Sequence, residues 1–169
     1  MYDEKTTCCF TGHRSGRLPW LSNPADWRTQ SLTEALWQQI LASYEMGYRT
    51  FLSGMARGVD LLCARLVLQL REEDQSVRLI PVIPFPGQAR NWPPRDREEY
   101  AYVLRQCGEA PVMVSPVYSK FCFHQRNRYM VDHSSRVIGV FDGEPRGGTF
   151  QTLEYARKKG VEMEIILPE

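Results

Sequence analysis

A chain of 169 residues and 19.6 kDa is long enough to bury a hydrophobic core, and we expect a single domain over residues 1–169. The composition, 43% hydrophobic and 24% charged, argues against disorder, collagen-like repeats and coiled coils. The 21 basic and 20 acidic residues give a net charge of +1, so no overall field attracts nucleic acid or an anionic membrane. Any charge-driven binding must be local.

The cysteines and the apolar segments bear on the cellular compartment. Residues 1–5 are polar, and no apolar run approaches the roughly 20 residues that would span a bilayer. The five cysteines include no CxxC pair and have neither zinc-ligand spacing nor the pattern of a disulfide scaffold. We therefore expect a cytoplasmic protein with reduced, mostly buried thiols, no membrane contact, no metal site and no cofactor.

Short apolar runs alternate with amphipathic stretches along the chain. The apolar runs predict strands at residues 6–10, 50–53, 77–85, 111–115, 137–141 and 164–167. Most are too continuously apolar to have one solvated face, which is typical of parallel strands covered on both sides.

Amphipathic stretches between these runs predict helices. The first begins with a capping box, in which Ser31 is the N-cap and Glu34 follows three residues later, and it ends at Gly47. Further helices are predicted at residues 61–71, about 95–107, about 125–133 and 149–159. This alternation predicts an α/β fold, a three-layer Rossmann-like sandwich with a mostly parallel sheet of about six strands. Such folds bind ligands at the carboxyl ends of their strands.

Chemistry-bearing residues follow the first predicted strand. Gly12 permits a tight turn and close approach of a ligand, while His13 and Arg14 add a titratable ring and a cation. The alternative is a plain turn with a surface arginine.

A second glycine turn follows the second strand and precedes a helix, through Ser53, Gly54, Met55, Ala56, Arg57, Gly58 and Asp60. Backbone N–H groups beside a helix N-terminus stabilise an anion, so this turn predicts a phosphate site. It is neither a GxGxxG nor a Walker A motif. The guanidinium of Arg57 can donate two hydrogen bonds to the phosphate. Asp60 either caps the helix or accepts a hydrogen bond from a sugar hydroxyl.

A third turn follows the fifth strand and contains Asp142, Gly147, Gly148 and Thr149. Its glycine pair and hydroxyl again meet a helix N-terminus on the same sheet edge, which predicts a second anion-binding turn. The alternative is a glycine hairpin followed by a threonine N-cap. It explains Thr149, but it does not explain why a glycine turn precedes a helix N-terminus twice on the same edge of the sheet.

Polar residues also share a face of the helix that precedes the fifth strand. His124, Arg128 and Asp132 are four residues apart, and Asn127 lies one position off that row. This face either meets a ligand or a partner subunit, which leaves a homodimer open, or it is simply solvated.

In their order and placement these motifs resemble the SLOG superfamily of Rossmann-like domains, and within it the YpsA-like branch. The resemblance covers residues 11–14, 53–60, 84–92, 125–132 and 147–149. The superfamily includes the Smf/DprA DNA-processing proteins and the LOG nucleotide phosphoribohydrolases. The resemblance implies that the glycine turns form a pocket for a nucleotide or a nucleotide derivative, including ADP-ribose-like ligands, in a sensor or signalling module.

Two other functions remain open. LOG enzymes carry Pro-Gly-Gly-x-Gly-Thr-x-x-Glu, whereas this chain reads Pro145-Arg146-Gly147-Gly148-Thr149, lacks a further glycine between Gly148 and Thr149, and places Glu154 five residues after Thr149. An N-glycosidic hydrolase would use a carboxylate near the ribose, for which Glu154, Asp60 and Asp132 are the candidates. DNA binding as in DprA is a minor alternative, because the net charge makes nucleic acid an unfavourable partner.

Overall fold

The computed structural model describes residues 2–169, in which six strands alternate with five α-helices. The strands are β1 Thr7–Gly12, β2 Thr50–Ser53, β3 Arg78–Ile83, β4 Val112–Met113, β5 Arg136–Val140 and β6 Glu162–Ile166. The helices are α1 Trp27–Glu45, α2 Val59–Glu73, α3 Pro94–Cys107, α4 Cys122–Asp132 and α5 Gly147–Lys159.

The strands form one sheet in the order β4-β3-β2-β1-β5-β6, and every neighbouring pair is parallel. The predicted Rossmann-like α/β sandwich is therefore confirmed. Chain order reverses between β1 and β5, since β2 lies on one side of β1 and β5 on the other. In open α/β sheets the crevice at such a switch point is the usual ligand site.

The sheet separates two apolar layers. Cys8 and Phe10 of β1 pack into a cluster with α1, α2 and α3, whereas Cys9 belongs to a cluster with α4 and α5. This alternation is expected when successive strand residues point to opposite faces, both of them covered. All five cysteines are free and buried, as predicted.

Helix α1 begins earlier than the sequence predicted. Its N-cap is Asp26, whose carboxylate accepts a hydrogen bond from the backbone N–H of Arg28 at 2.9 Å. Thr29 ties the first turn to the preceding loop, because its hydroxyl donates to the carbonyl of Trp20 at 2.8 Å. The predicted capping box of Ser31 and Glu34 is wrong, since both residues lie inside the helix.

Among the predicted strands, 50–53 alone has the predicted boundaries, and the differences at β1 and β4 bear on the site and on the sheet edge. Thr11 and Gly12 pair with Gly139 and Val140 of β5, so Gly12 is the last residue of β1 and not part of the turn. Strand β4 is limited to the two residues that pair with β3 at the sheet edge.

Within residues 2–169, no helix is both long and apolar enough to cross a membrane.

Candidate functional site

A cavity of about 350 Å³ lies at the switch point of the sheet, beyond the carboxyl end of β1. We call it the α5 cavity, because the first residues of α5 form part of its wall. Most of the predicted ligand-binding residues line it, namely Gly12, His13, Arg14, Ala56, Asp60, Asn127, Gly147, Gly148 and Thr149. The structure thus brings together residues from β1, α2, α4 and α5 and from the loops that follow β1 and precede α2.

The N-terminus of α5 is open toward this cavity. Its N-cap, Arg146, makes no side-chain capping hydrogen bond, and Gly147 has a φ of 86°, a value that favours glycine. Among the described residues, none accepts a hydrogen bond from the backbone N–H groups of Gly147, Gly148 or Thr149. These donors lie at the positive end of the helix dipole, where an anion is stabilised.

Arg126 of α4 is a buried cation in the wall of the same cavity, with only 3% of its surface exposed. Its Nη1 donates to the carbonyl of Gly54, and its Nε donates to Oδ1 of Asn127 at 2.7 Å. No carboxylate oxygen of residues 2–169 lies within 4.0 Å of its guanidinium. Burial lowers the pKa of Arg126, and the negative charge of the nearby Asp60 opposes that shift.

Gly54 and Asp60 are packed tightly around Arg126. A Cβ at position 54 would lie 2.5 Å from Nη1 of Arg126 and 2.8 Å from Oδ2 of Asp60, so a larger residue there would displace these two side chains. Burial raises the pKa of Asp60, and the charge of Arg126 opposes that rise. Asp60 lies in the first turn of α2, whose N-cap is Gly58, so Asp60 is not the N-cap.

His13 and Asp142 position a second cation at the mouth of the cavity. The ring Nε2 of His13 accepts a hydrogen bond from the backbone N–H of Asp142 at 3.1 Å and lies 3.3 Å from the carboxylate Oδ1 of the same residue. The Asp142 carboxylate pairs with Arg17, whose guanidinium lies 3.7 Å from a Cβ placed on Gly147. Asp142 does not line the cavity itself. It holds Arg17 beside the open end of α5.

The turn of residues 53–60 differs from the phosphate site that the sequence predicted there. The N–H of Met55 donates to Oγ of Ser53, that of Ala56 to Oδ2 of Asp60, and that of Val59 to the carbonyl of His13. These donors are therefore used inside the protein, where they fix the loop against β1. Ser53, Gly54, Met55 and Gly58 do not line the α5 cavity.

Arg57 lies in a second cavity and not at the end of α5. Its Nε is 2.7 Å from Oδ2 of Asp96, which turns the side chain toward α3. We call this space, of about 270 Å³, the Trp92 cavity, and it is lined by Arg14, Ser15, Gly16, Ala56, Arg57, Gln88, Trp92 and Phe123. Arg57, predicted to contact a phosphate at the turn before α2, therefore does not line the α5 cavity.

The other candidates lie on the outer face of α4 and α5. Glu154 pairs with Arg157, and Asp132 pairs with Lys159 at 3.2 Å and accepts from the Tyr155 hydroxyl. Arg128 lies with its guanidinium 5.0 Å from the ring centre of Tyr155. His124, Arg128 and Asp132 are all exposed, so the face that the sequence predicted is solvated in the chain alone. Of the three candidate catalytic carboxylates, Asp60 alone lines the α5 cavity.

The family model described as the YspA SLOG family matches residues 8–168. This range contains all six strands except Thr7, the first residue of β1, and all the residues that line the two cavities. The chain belongs to this family. The resemblance predicted from the sequence motifs is therefore confirmed at the level of the superfamily and of its YpsA-like branch.

Individual relatives of this YspA SLOG protein are similar over most of its length. The UPF0398 protein YpsA of Bacillus subtilis (strain 168) is 28% identical over 129 residues, which cover 76% of this chain and 72% of that protein. A UPF0398 protein of Bacillus cereus (strain B4264) is 27% identical over 132 residues, covering 78% of this chain and 72% of that protein.

A solved structure shares the fold. The X-ray structure of DNA processing protein A (DprA) from Streptococcus pneumoniae matches with a TM-score of 0.62 at 18% sequence identity. The match covers 95% of this chain but 50% of that one, so the YspA SLOG protein spans half the length of DprA.

Several lining residues of the α5 cavity were absent from the sequence-based predictions: Phe10, Thr11, Gly16, Arg17, Phe123 and Arg126. A signal for Arg126 exists in the sequence. Cys122, Arg126 and Met130 are four residues apart and all buried, so an arginine occupies the apolar face of α4. A charged residue on a buried face needs a functional or structural partner.

Proposed function

We propose that this YspA SLOG protein binds a phosphorylated nucleoside in the α5 cavity and acts as a sensor or signalling module. One observation carries the proposal: the open N-terminus of α5 and the buried cation Arg126 line the same cavity. A phosphate there would accept from Gly147, Gly148 and Thr149 and would lie among three guanidinium groups, those of Arg14, Arg17 and Arg126.

The dimensions and charges of the site suit such a ligand. The volume of about 350 Å³ lies at the lower end of the range of about 300–1,000 Å³ for small-molecule sites. Each charge-assisted hydrogen bond contributes about 1.5–3 kcal/mol, and the helix dipole adds about 0.3–1 kcal/mol. These local terms supply the attraction that the net charge of +1 does not provide.

The other functions find less support in the geometry. Glu154 and Asp132 are engaged in surface pairs away from the α5 cavity, which leaves the buried Asp60 as the carboxylate nearest a bound nucleoside. The DprA structure matches at 18% identity and therefore supports the fold alone. The relatives' names contain no ligand.

A thermal-shift panel of nucleoside phosphates, dinucleotides and ADP-ribose tests this proposal. A ligand present at about 100 times its Kd stabilises the folded state by about 2.7 kcal/mol, so at least one of these compounds should raise Tm clearly. Unphosphorylated nucleosides should have little effect, because the main contacts are made to phosphate. A panel that leaves Tm unchanged would overturn the proposal.

Two neighbouring arginines provide a matched pair of variants. Arg17→Ala removes a guanidinium beside the open end of α5 and should weaken nucleotide binding about tenfold, the loss expected for one charge-assisted contact. Arg146→Ala is the control, since the Arg146 side chain is 76% exposed and lies outside the cavity lining. Calorimetric titration should show near wild-type affinity for this control. Equal losses in both variants would indicate a nonspecific charge effect.

A further inference from the structure

The Trp92 cavity adjoins the α5 cavity on the side away from helix α5. Arg14, Gly16, Ala56 and Phe123 line both cavities, whereas Gly147, Gly148 and Thr149 line the α5 cavity alone. A ligand whose phosphate lies at α5 and whose other end passes Arg14 therefore enters the Trp92 cavity.

Two aromatic side chains in fixed positions line this second cavity. Trp92 is half-buried and packs edge-on against Tyr100, with ring centres 5.3 Å apart. Phe123 lies under the guanidinium of Arg14, which is 4.6 Å from the ring centre, and also packs edge-on against Phe85 at 6.0 Å. Aromatic surfaces in a space of about 270 Å³ favour a flat ring over a sugar or a peptide.

The polar groups of the Trp92 cavity are mainly donors. Neither the indole N–H of Trp92 nor the two Nη groups of Arg57 have a hydrogen-bond acceptor among residues 2–169. The amide of Gln88 is already engaged: its Nε2 donates to the carbonyl of Gly54, and its Oε1 accepts from Arg126. A ring that presents acceptors at its edge would satisfy the free donors.

We propose that the Trp92 cavity holds the base of the bound nucleotide and prefers a 6-oxopurine to adenine. Guanine presents two acceptors, N7 and O6, along one edge, whereas adenine replaces the second acceptor with an amino donor. That amino group would face the donors of Arg57 or of the Trp92 indole, and two opposed donors cannot form a hydrogen bond. This inference rests on the proposed function, because the phosphate at α5 sets where the base lies.

Calorimetric titration with guanosine 5′-monophosphate, adenosine 5′-monophosphate and ribose 5-phosphate tests the assignment. The guanine nucleotide should bind about fivefold or more tightly than the adenine nucleotide, the range expected for one discriminating pair of hydrogen bonds. Trp92→Ala should weaken binding of the guanine nucleotide roughly tenfold, the loss of one base–aromatic stack, and leave ribose 5-phosphate unaffected. Trp27→Ala, which removes a tryptophan that is 69% exposed on α1, is the matched control.

Tryptophan fluorescence gives a second readout that does not depend on a large truncation. Guanosine 5′-monophosphate should change the emission of the wild type and of Trp27→Phe, and this change should disappear in Trp92→Phe. The assignment is overturned if Trp92→Ala leaves guanine nucleotide affinity intact, if it weakens ribose 5-phosphate equally, or if the adenine nucleotide binds as tightly. Nucleotide binding that persists in those cases leaves the proposed function standing, whereas failure of all three probes to bind overturns the base assignment, and an unchanged Tm across the whole thermal-shift panel overturns both.

Discussion

His13 is held as a neutral imidazole by its surroundings at the switch point. Burial lowers its pKa below the ordinary value of 6.5, and the nearby Asp142 carboxylate opposes that shift. Protonation of Nε2 would also remove the hydrogen bond that this nitrogen accepts from the Asp142 backbone. The neutral ring is thus part of what orients Asp142 and, through it, Arg17.

This lowered pKa predicts a pH-dependent stability. Below about pH 6.5 the unfolded chain binds a proton at His13 more readily than the folded protein does, so the free energy of unfolding should fall as the pH falls toward the lowered pKa. Urea unfolding at about pH 7.5 and about pH 5.5 measures this loss. His13→Gln should lose less stability between the two pH values than the wild type. His124→Gln, at an exposed histidine, should behave as the wild type does, and an equal loss in all three proteins would contradict the account.

Single residues of the site were only partly predictable from the sequence. Gly12, His13, Arg14 and Asn127 follow from their places beside strands or helix turns, and all four line the α5 cavity. Arg126 was not predicted, because the face of α4 considered from the sequence was the one that contains the exposed His124, Arg128 and Asp132. Arg57 fits the loop pattern of a phosphate ligand, but its direction is determined by Asp96, which lies far away in the sequence.

At the scale of elements, two turns with similar sequences differ because of tertiary contacts. Before α2, three backbone donors are used by Ser53, Asp60 and the carbonyl of His13, whereas the first amides of α5 have no such partners. Local sequence could not distinguish the turns, since the competing acceptors come partly from another loop. The start of α1 has the same explanation, because Asp26 and Ser31 are both good N-caps and the bond from Thr29 to Trp20 favours the earlier one.

The open end of α5 makes a prediction that isolates one backbone donor. Gly148→Pro removes the N–H at the second position of the helix, where proline is tolerated. Gly148→Ala keeps that N–H and places its methyl group where no atom lies within 4 Å. In calorimetric titration, the proline variant should bind a nucleoside phosphate about tenfold more weakly than the alanine variant. Equal affinities in the two variants, with helix content unchanged by circular dichroism, would show that this N–H does not contact the ligand.

For the whole molecule, the fold was predictable because the pattern of apolar runs and amphipathic helices repeats along the entire chain. Six parallel strands with helices on both faces follow from that repetition. The position of the switch point was not predictable, since strand order depends on which helix crosses which face. That order is what places the ends of β1 and α5 around one cavity.

The molecule also contains a larger groove of about 580 Å³ between α1, α2 and α3, on one face of the sheet. Arg65 and Glu99 form an ion pair within it at 2.8 Å. These two charges are therefore paired directly, whereas no carboxylate oxygen of residues 2–169 lies within 4.0 Å of the Arg126 guanidinium. Volume alone would favour this groove as a ligand site, whereas the buried guanidinium of Arg126 and the open end of helix α5 favour the α5 cavity.

Amide chemical-shift mapping on ¹⁵N-labelled protein tests the central claim most directly, because it locates a phosphorylated nucleoside on the molecule. Titration with guanosine 5′-monophosphate should shift the backbone amides of Gly147, Gly148 and Thr149 most strongly, together with the Nε–H signal of Arg126. The amides that line the groove between α1, α2 and α3 should remain unchanged. Shifts concentrated in that groove, or saturating binding that leaves the three α5 amides unmoved, would contradict the account.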